Sequence, residues 1–248
     1  MSISVERSRL LAQVMLKFFN VKYSLDYGER IPSGEPLIVI SNHRSFLDAA
    51  LLLEAIPGSL RIACHHFMGK TPGLKQFVSW LGCFPLAANN QGQQYLFRTA
   101  QNLLTDRQWL GVFPEGALPM VEPPNCDQVG KFQRGFAHLV YRLKIDNLTV
   151  LPVAIASLEE TKYQSFPISW LSKLDPYEPI FKRKGLHPVI IYDRVKLVVG
   201  HPHRLSYEQK QAYKGKQARQ MVSDLTNSCQ QQIAELLKEG CSKGGFIN

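Results

Sequence analysis

Leu37-Ile38-Val39-Ile40-Ser41-Asn42-His43-Arg44-Ser45-Phe46-Leu47-Asp48 is the stretch on which the fold turns. Four consecutive apolar residues read as a short buried strand. The segment that follows, Asp48-Ala49-Ala50-Leu51-Leu52-Leu53-Glu54, reads as a helix with a carboxylate in its first turn, where the helix dipole favours negative charge. His43 then sits at the carboxyl edge of the strand, where open α/β sheets place their chemistry. An imidazole can act as a general base near neutral pH. A carboxylate on its other ring nitrogen fixes the tautomer and stabilises the imidazolium that forms. His43 and Asp48 are therefore a candidate catalytic dyad. The same spacing also arises where Asp48 does no more than favour a helix start, so the rest of the chain has to decide.

Working outward, apolar runs and turn signals predict strands over residues 23–31, 37–40, 60–64, 83–86, 109–113, 149–155, 189–192 and 195–199. Helices are predicted over 49–56, 72–81, 93–105, 132–143 and 208–238, the last interrupted near Gly215. Strands alternate with helices through the first two-thirds of the chain, and neither an internal repeat nor a linker is evident. This pattern predicts an α/β domain over residues 23–248, with a mixed, mostly parallel central sheet flanked by helices. The proline-rich stretch 119–130 is a long loop able to cover a site.

The chain has 248 residues, enough for a substantial core, and its 45% apolar and 20% charged content is that of an ordinary globular protein. Its five cysteines, Cys64, Cys83, Cys126, Cys229 and Cys241, show no zinc spacing and no disulfide framework, which fits reduced thiols in the cytoplasm. A net charge of +9 implies attraction to something acidic: an anionic membrane surface, an acidic carrier protein or nucleic acid. No nucleic-acid-binding pattern is present, so nucleic acid is not expected as a partner. No run approaches the ~18–20 apolar residues that cross a bilayer. Residues 1–22 form an amphipathic helix in which Leu10, Leu11, Val14, Met15 and Phe18 recur at helical spacing, flanked by Arg7, Arg9, Lys17 and Lys22. Such a stripe either lies in a membrane interface or packs on the domain.

A second block follows the predicted strand at 109–113: Pro114-Glu115-Gly116-Ala117 ends the strand, sets a carboxylate at its edge and supplies a glycine where a substrate can approach the backbone. Taken together, these residues resemble the glycerolipid acyltransferase family that includes the lysophosphatidic acid acyltransferases. That family carries an NHxSxxD block, its HX4D motif, upstream of an FPEG block; here these are Asn42 to Asp48 and Phe113 to Gly116. Gly130-Lys131-Phe132-Gln133-Arg134-Gly135 matches the family's basic segment, and Leu151-Pro152-Val153-Ala154-Ile155 its apolar PVA strand.

The resemblance implies transfer of an acyl group from acyl-CoA or an acyl carrier protein to a lipid hydroxyl, with lysophosphatidic acid as the default acceptor. His43 would be the general base and Asp48 its orienting carboxylate. Glu115 and Gly116 would help hold the substrate, with backbone amides near Gly116 as candidate oxyanion donors. Ser45 would support the turn rather than act as a nucleophile. No metal or cofactor is implied beyond the acyl thioester, and the protein would sit peripherally on a membrane from the cytoplasmic side.

The chain departs from the family where that family binds the acceptor's phosphate. Ala88 stands in place of an arginine, Ala117 replaces a threonine or serine, and Leu118-Pro119-Met120 is apolar where another arginine is common. Lys70, Arg98, Lys131 and Arg134 are the cations able to compensate, with Lys131 and Arg134 favoured because they lie in a recognised block. Otherwise the acceptor is a lipid alcohol without a phosphomonoester, such as a glycolipid; the alternative to catalysis is a non-catalytic lipid- or acyl-carrier-binding protein on the same fold, against which the intact His43, Asp48 and Glu115 argue. His65-His66 and His201-Pro202-His203 lack ligand-spaced carboxylates or cysteines and are expected to be structural. Lys182-Arg183-Lys184 is expected to be a solvated loop, or a contact for anionic lipid or an acidic carrier protein.

Overall fold

The computed structural model describes residues 5–69, 73–86, 92–174 and 179–242. In chain order its elements are α1 (Val5–Phe18), β1 (Lys22–Asp26), β2 (Leu37–Ser41), α2 (Asp48–Ala55), β3 (Leu60–Cys64), α3 (Leu74–Trp80), β4 (Cys83–Pro85), α4 (Gly92–Thr105) and β5 (Trp109–Val112). They continue as α5 (Leu118–Val121), α6 (Gly135–Arg142), β6 (Thr149–Pro167), α7 (Leu171–Leu174), β7 (Leu186–Val199), β8 (His203–Arg204), α8 (Tyr207–Gln211) and α9 (Gly215–Ser242).

The described strands form one sheet in the order β1-β7-β6-β2-β5-β3-β4, with β8 added on β6. β2 lies inside it, every residue buried, hydrogen-bonded in parallel to β5 on one side and β6 on the other. A strand covered on both faces has no need of polar alternation, which is why Leu37-Ile38-Val39-Ile40 is apolar throughout. Its side chains serve two cores. Leu37 and Val39 join the layer formed with α1, α2 and α3. Ile38 and Ile40 join the layer formed with α4, α6 and α9. The result is a mixed, mostly parallel sheet between two helical layers, as predicted.

Because β2 and β5 are parallel, their carboxyl ends emerge side by side. The loop after β2 carries His43 and the turn after β5 carries Glu115, so the two sequence blocks meet at one edge of the sheet.

Several elements differ from the sequence-based expectation. The strand expected over 149–155 runs on to Pro167, and the two strands expected over 189–192 and 195–199 are the single β7. β6 and β7 pair antiparallel along most of their length, with bulges around Glu159. Beyond Ser157 β6 is largely solvent-exposed and polar, so no hydrophobic run marks its continuation. The helix expected from 132 starts at Gly135, and the loop over 119–130 opens with the short helix α5.

α1 packs against α2 and α3, with Ala12, Met15 and Leu16 in the core. The predicted apolar stripe is split: Met15 turns inward, whereas Leu10, Val14 and Phe18 remain 61%, 54% and 81% exposed. Among the described residues no helix is long and apolar enough to cross a membrane.

Candidate active site

The loop between β2 and α2 is fixed at both ends before any chemistry is considered. The Asn42 side chain pairs twice with the backbone of Ile155, donating through Nδ2 to its carbonyl at 3.0 Å and accepting through Oδ1 from its amide at 2.8 Å. It thereby carries the β2–β6 ladder one residue past Ser41. Ser45 Oγ donates to the carbonyl of Ile190 at 2.6 Å and accepts from the Leu47 amide at 3.2 Å. This hydroxyl is committed to the turn, the supporting part expected of it.

Asp48 is fully buried and its carboxylate is the hub of the loop. Oδ2 accepts from the amides of Arg44 and Ser45 at 2.6 and 2.8 Å and faces His43 Nδ1 at 2.8 Å. Oδ1 accepts from the Tyr192 hydroxyl at 2.7 Å. A carboxylate flanked by three other donors is acceptor-only, so Nδ1 carries the proton toward it and Nε2 keeps its lone pair. The imidazole stacks on Phe113, with centroids 4.3 Å apart and planes at 15°. Its rotation is therefore limited by the ring contact as well as by Asp48. An imidazole held in this tautomer and orientation is equipped to take a proton through Nε2.

Glu115 is almost fully buried, and both of its oxygens are spent on backbone: Oε1 accepts from the His43 amide at 2.9 Å and Oε2 from the Gly130 amide at 2.6 Å. Burial raises its pKa, and the two amide bonds partly oppose that shift. Glu115 thus ties the histidine loop to the segment around Gly130. Gly130 is needed there, because a Cβ would stand 2.5 Å from Glu115 Oε2. Gly116 turns the chain with φ 72°, and its own amide closes that turn by donating to Phe113 O at 3.2 Å, so it is already engaged as a donor.

Arg44, also buried, reaches Glu160 on β6 through two parallel bonds of 2.7 and 2.6 Å and donates to the Pro124 carbonyl. Burial opposes its charge, but the paired carboxylate outweighs this and raises its pKa. Glu160 is the register partner of Tyr192. One stretch of the β6–β7 ribbon therefore supplies both Glu160 for Arg44 and Tyr192 for Asp48. Burial, followed by the neighbouring Asp48 carboxylate, holds the Tyr192 phenol well above its ordinary range, so it remains a donor.

His43 forms part of the wall of a chamber of about 330 Å³. Met15, Phe46, Phe77, Leu171 and Phe181 contribute to an overwhelmingly apolar lining, and Gly116, Ala117 and Met120 also border it. His65 and His187 stand in the same wall. Burial holds His187 below the usual imidazole range. Val121, Leu171 and Phe181 of this lining form a small cluster with Ile168, and Arg183 pairs with Glu122. Lys182, Arg183 and Lys184 are all exposed. Among the described residues no group of three or more His, Cys, Asp or Glu side chains is placed to hold a metal.

The structure brings together His43, Asp48, Glu115 and Gly116. It leaves Lys131 and Arg134 exposed and outside the chamber lining. Lys70 and Ala88 lie outside the described residues. The sequence reading missed Tyr192, Arg44 and Glu160 as parts of the site; they connect through pairings more than a hundred residues apart that leave no local signal.

The Acyltransferase family matches residues 25–156, more than half of the chain. Human 1-acyl-sn-glycerol-3-phosphate acyltransferase alpha is 24% identical over 172 residues, which cover 63% of this chain and 54% of that protein. Arabidopsis thaliana N-acylphosphatidylethanolamine synthase is 26% identical over 144 residues, covering 54% of this chain and 49% of that one. The chain thus spans about half the length of the curated relatives it matches. The crystal structure of the 1-acyl-sn-glycerophosphate (LPA) acyltransferase PlsC from Thermotoga maritima superposes with a TM-score of 0.60 at 16% identity, over 98% of this chain and 81% of that one.

Proposed function

The chain belongs to the Acyltransferase family, and from that premise we propose that it is an O-acyltransferase moving a fatty acyl group from an acyl thioester to a lipid hydroxyl. The observation that carries this reading is the 2.8 Å contact of His43 Nδ1 with Asp48, made on the wall of an apolar chamber. His43 Nε2 takes the proton of the acceptor hydroxyl, and the oxygen attacks the thioester carbonyl carbon. As the tetrahedral intermediate collapses, the C–S bond breaks and the imidazolium returns its proton to the departing thiolate. Asp48 holds the tautomer and stabilises the imidazolium between these steps. Ser45 takes no part as a nucleophile, because its hydroxyl is bonded to Ile190. The apolar lining suits the acyl chain, and the acyl thioester, acyl-CoA or acyl carrier protein, is the only co-substrate the scheme needs.

Lysophosphatidic acid is the default acceptor by family. A second acceptor class, a lipid alcohol without a phosphomonoester, is favoured by the apolar border that Ala117 and Met120 give the chamber. The plant relative's name refers to a different lipid, so family membership leaves the acceptor open. The outward face of α1, with Leu10, Val14 and Phe18 among basic residues, supports work at a membrane surface.

A panel of lysophosphatidic acid, lysophosphodiesters and glycolipids, offered with labelled acyl-CoA and acyl carrier protein, tests both substrates. His43→Ala should abolish transfer with the fold intact. Acyl transfer retained by that variant would remove the general-base assignment.

A further inference from the structure

Apart from the chamber at His43, the described residues form an open groove of about 650 Å³ between α4 and α6. Its lining, which includes Leu96, Phe97 and Leu139, carries more polar and cationic groups than that of the chamber. Arg98 comes from α4, Arg142 and His138 from α6, and no carboxylate is among its lining residues. His138 and Arg142 are four residues apart and share a helix face. Burial, then the charges of Arg142 and Arg134, hold His138 below the usual imidazole range. The groove and the chamber share one wall residue, Leu96 of α4. A ligand with an apolar tail and a polyanionic head therefore finds both environments on either side of a single side chain.

We propose that this groove seats the phosphate-bearing head of the acyl donor, a nucleoside polyphosphate of the coenzyme A type, with Arg98 and Arg142 as its phosphate ligands. The proposal rests on the acyl-transfer reading and adds to it a choice of donor. Guanidinium groups suit phosphate because they form paired, charge-assisted hydrogen bonds. The volume falls within the range of small-molecule and cofactor sites and is about twice that of the chamber. With the acyl chain in the chamber and the thioester at His43, the pantetheine arm passes Leu96 to reach the groove.

The test combines calorimetry with donor discrimination. CoA is titrated into the intact 248-residue chain and into the Arg98→Gln/Arg142→Gln double variant; Arg219→Gln/Lys238→Gln, which removes the same charge from exposed sites outside the groove, serves as control. CoA should bind the wild type and the control, and at least about tenfold more weakly the groove variant. In turnover, the kcat/KM preference for acyl-CoA over the matching acyl-pantetheine should collapse in the groove variant and persist in the control. Absence of CoA binding, or CoA binding undiminished in the groove variant, overturns the proposal. So does a rise in KM for lysophosphatidic acid with CoA affinity unchanged, which would assign the groove to the acceptor's phosphate. Calorimetry needs no turnover: a chain that binds CoA through these arginines yet transfers no acyl group defeats the acyl-transfer reading and leaves the groove assigned.

Discussion

Tyr192 and Asp48, 144 residues apart in the chain, meet through a 2.7 Å hydrogen bond in which the phenol donates to the oxygen that His43 does not use. The carboxylate that orients the histidine is thus itself oriented from β7. Removing the hydroxyl alone, as Tyr192→Phe, should leave the packing of the ring in place and deprive Asp48 of one donor. A hydrogen bond to a buried charged group contributes about 1.5–3 kcal/mol. The variant should lose stability of that order and show a lower kcat with KM for both substrates little changed, because Tyr192 does not line the chamber. Unfolding titrations with steady-state kinetics check it. A rise in KM with kcat intact would show that Tyr192 acts on binding instead.

How much of this was legible beforehand follows from the range of each interaction. His43 and Asp48 are five residues apart, and the strand and helix that hold them carry their own periodic signals. Glu115 was legible as a strand-edge carboxylate, but the partners of its oxygens, the amides of His43 and Gly130, depend on β2 and β5 being parallel neighbours. Arg44, Glu160 and Tyr192 depend on the register of β6 with β7, which bulges move near Glu159. The outer part of β6 has neither an apolar run nor strict alternation, so its pairing with the legible apolar run at 189–192 of β7 was invisible locally. The α1 stripe was legible as a set of residues but not as a division between faces. That division was settled by which side chains α2 and α3 could accept.

Glu115 carries a pH signature with a definite sign. Burial raises its folded pKa, so the folded state holds the carboxyl proton more tightly than the unfolded chain does. Its contribution therefore favours the fold below the unfolded carboxyl range and is lost as pH rises through the raised folded value. Glutamine does not titrate. The stability of wild type minus that of Glu115→Gln should fall as pH rises from the ordinary carboxyl range through the raised folded value, and then level off. Denaturant midpoints across that range check it, and a difference that grows with pH would contradict the assignment. Glutamine accepts at one oxygen only, so one of the two amides loses its partner. The resulting shift of the His43 loop should lower kcat between about tenfold and a hundredfold.

Gly130→Ala probes the same brace from the other side. The added Cβ falls 2.5 Å from Glu115 Oε2, so either the loop or the carboxylate must move. Overpacking of this kind costs about 1–3 kcal/mol. The expected result is a lowered melting temperature together with reduced kcat. Alanine at Gly135, where a Cβ meets nothing within 4 Å, provides the comparison and should be far milder. Equal effects at the two positions would show that Glu115 does not depend on close approach at Gly130.

The outward face of α1 gives the last prediction. Leu10, Val14 and Phe18 lie one above another at four-residue spacing, and they are more than half exposed while Ala12 and Leu16 are in the core. Replacing all three with serine should leave the helix packed, because the buried side is untouched. Each apolar side chain buried in an interface contributes up to about 2 kcal/mol, so losing three should weaken vesicle binding by well over tenfold. Co-sedimentation with vesicles rich in anionic lipid measures this. Added salt should weaken wild-type binding without abolishing it, since it screens the basic residues and not the apolar contact. Binding by the triple variant equal to wild type would place membrane attachment elsewhere on the protein, whereas binding lost to salt alone would make it purely electrostatic.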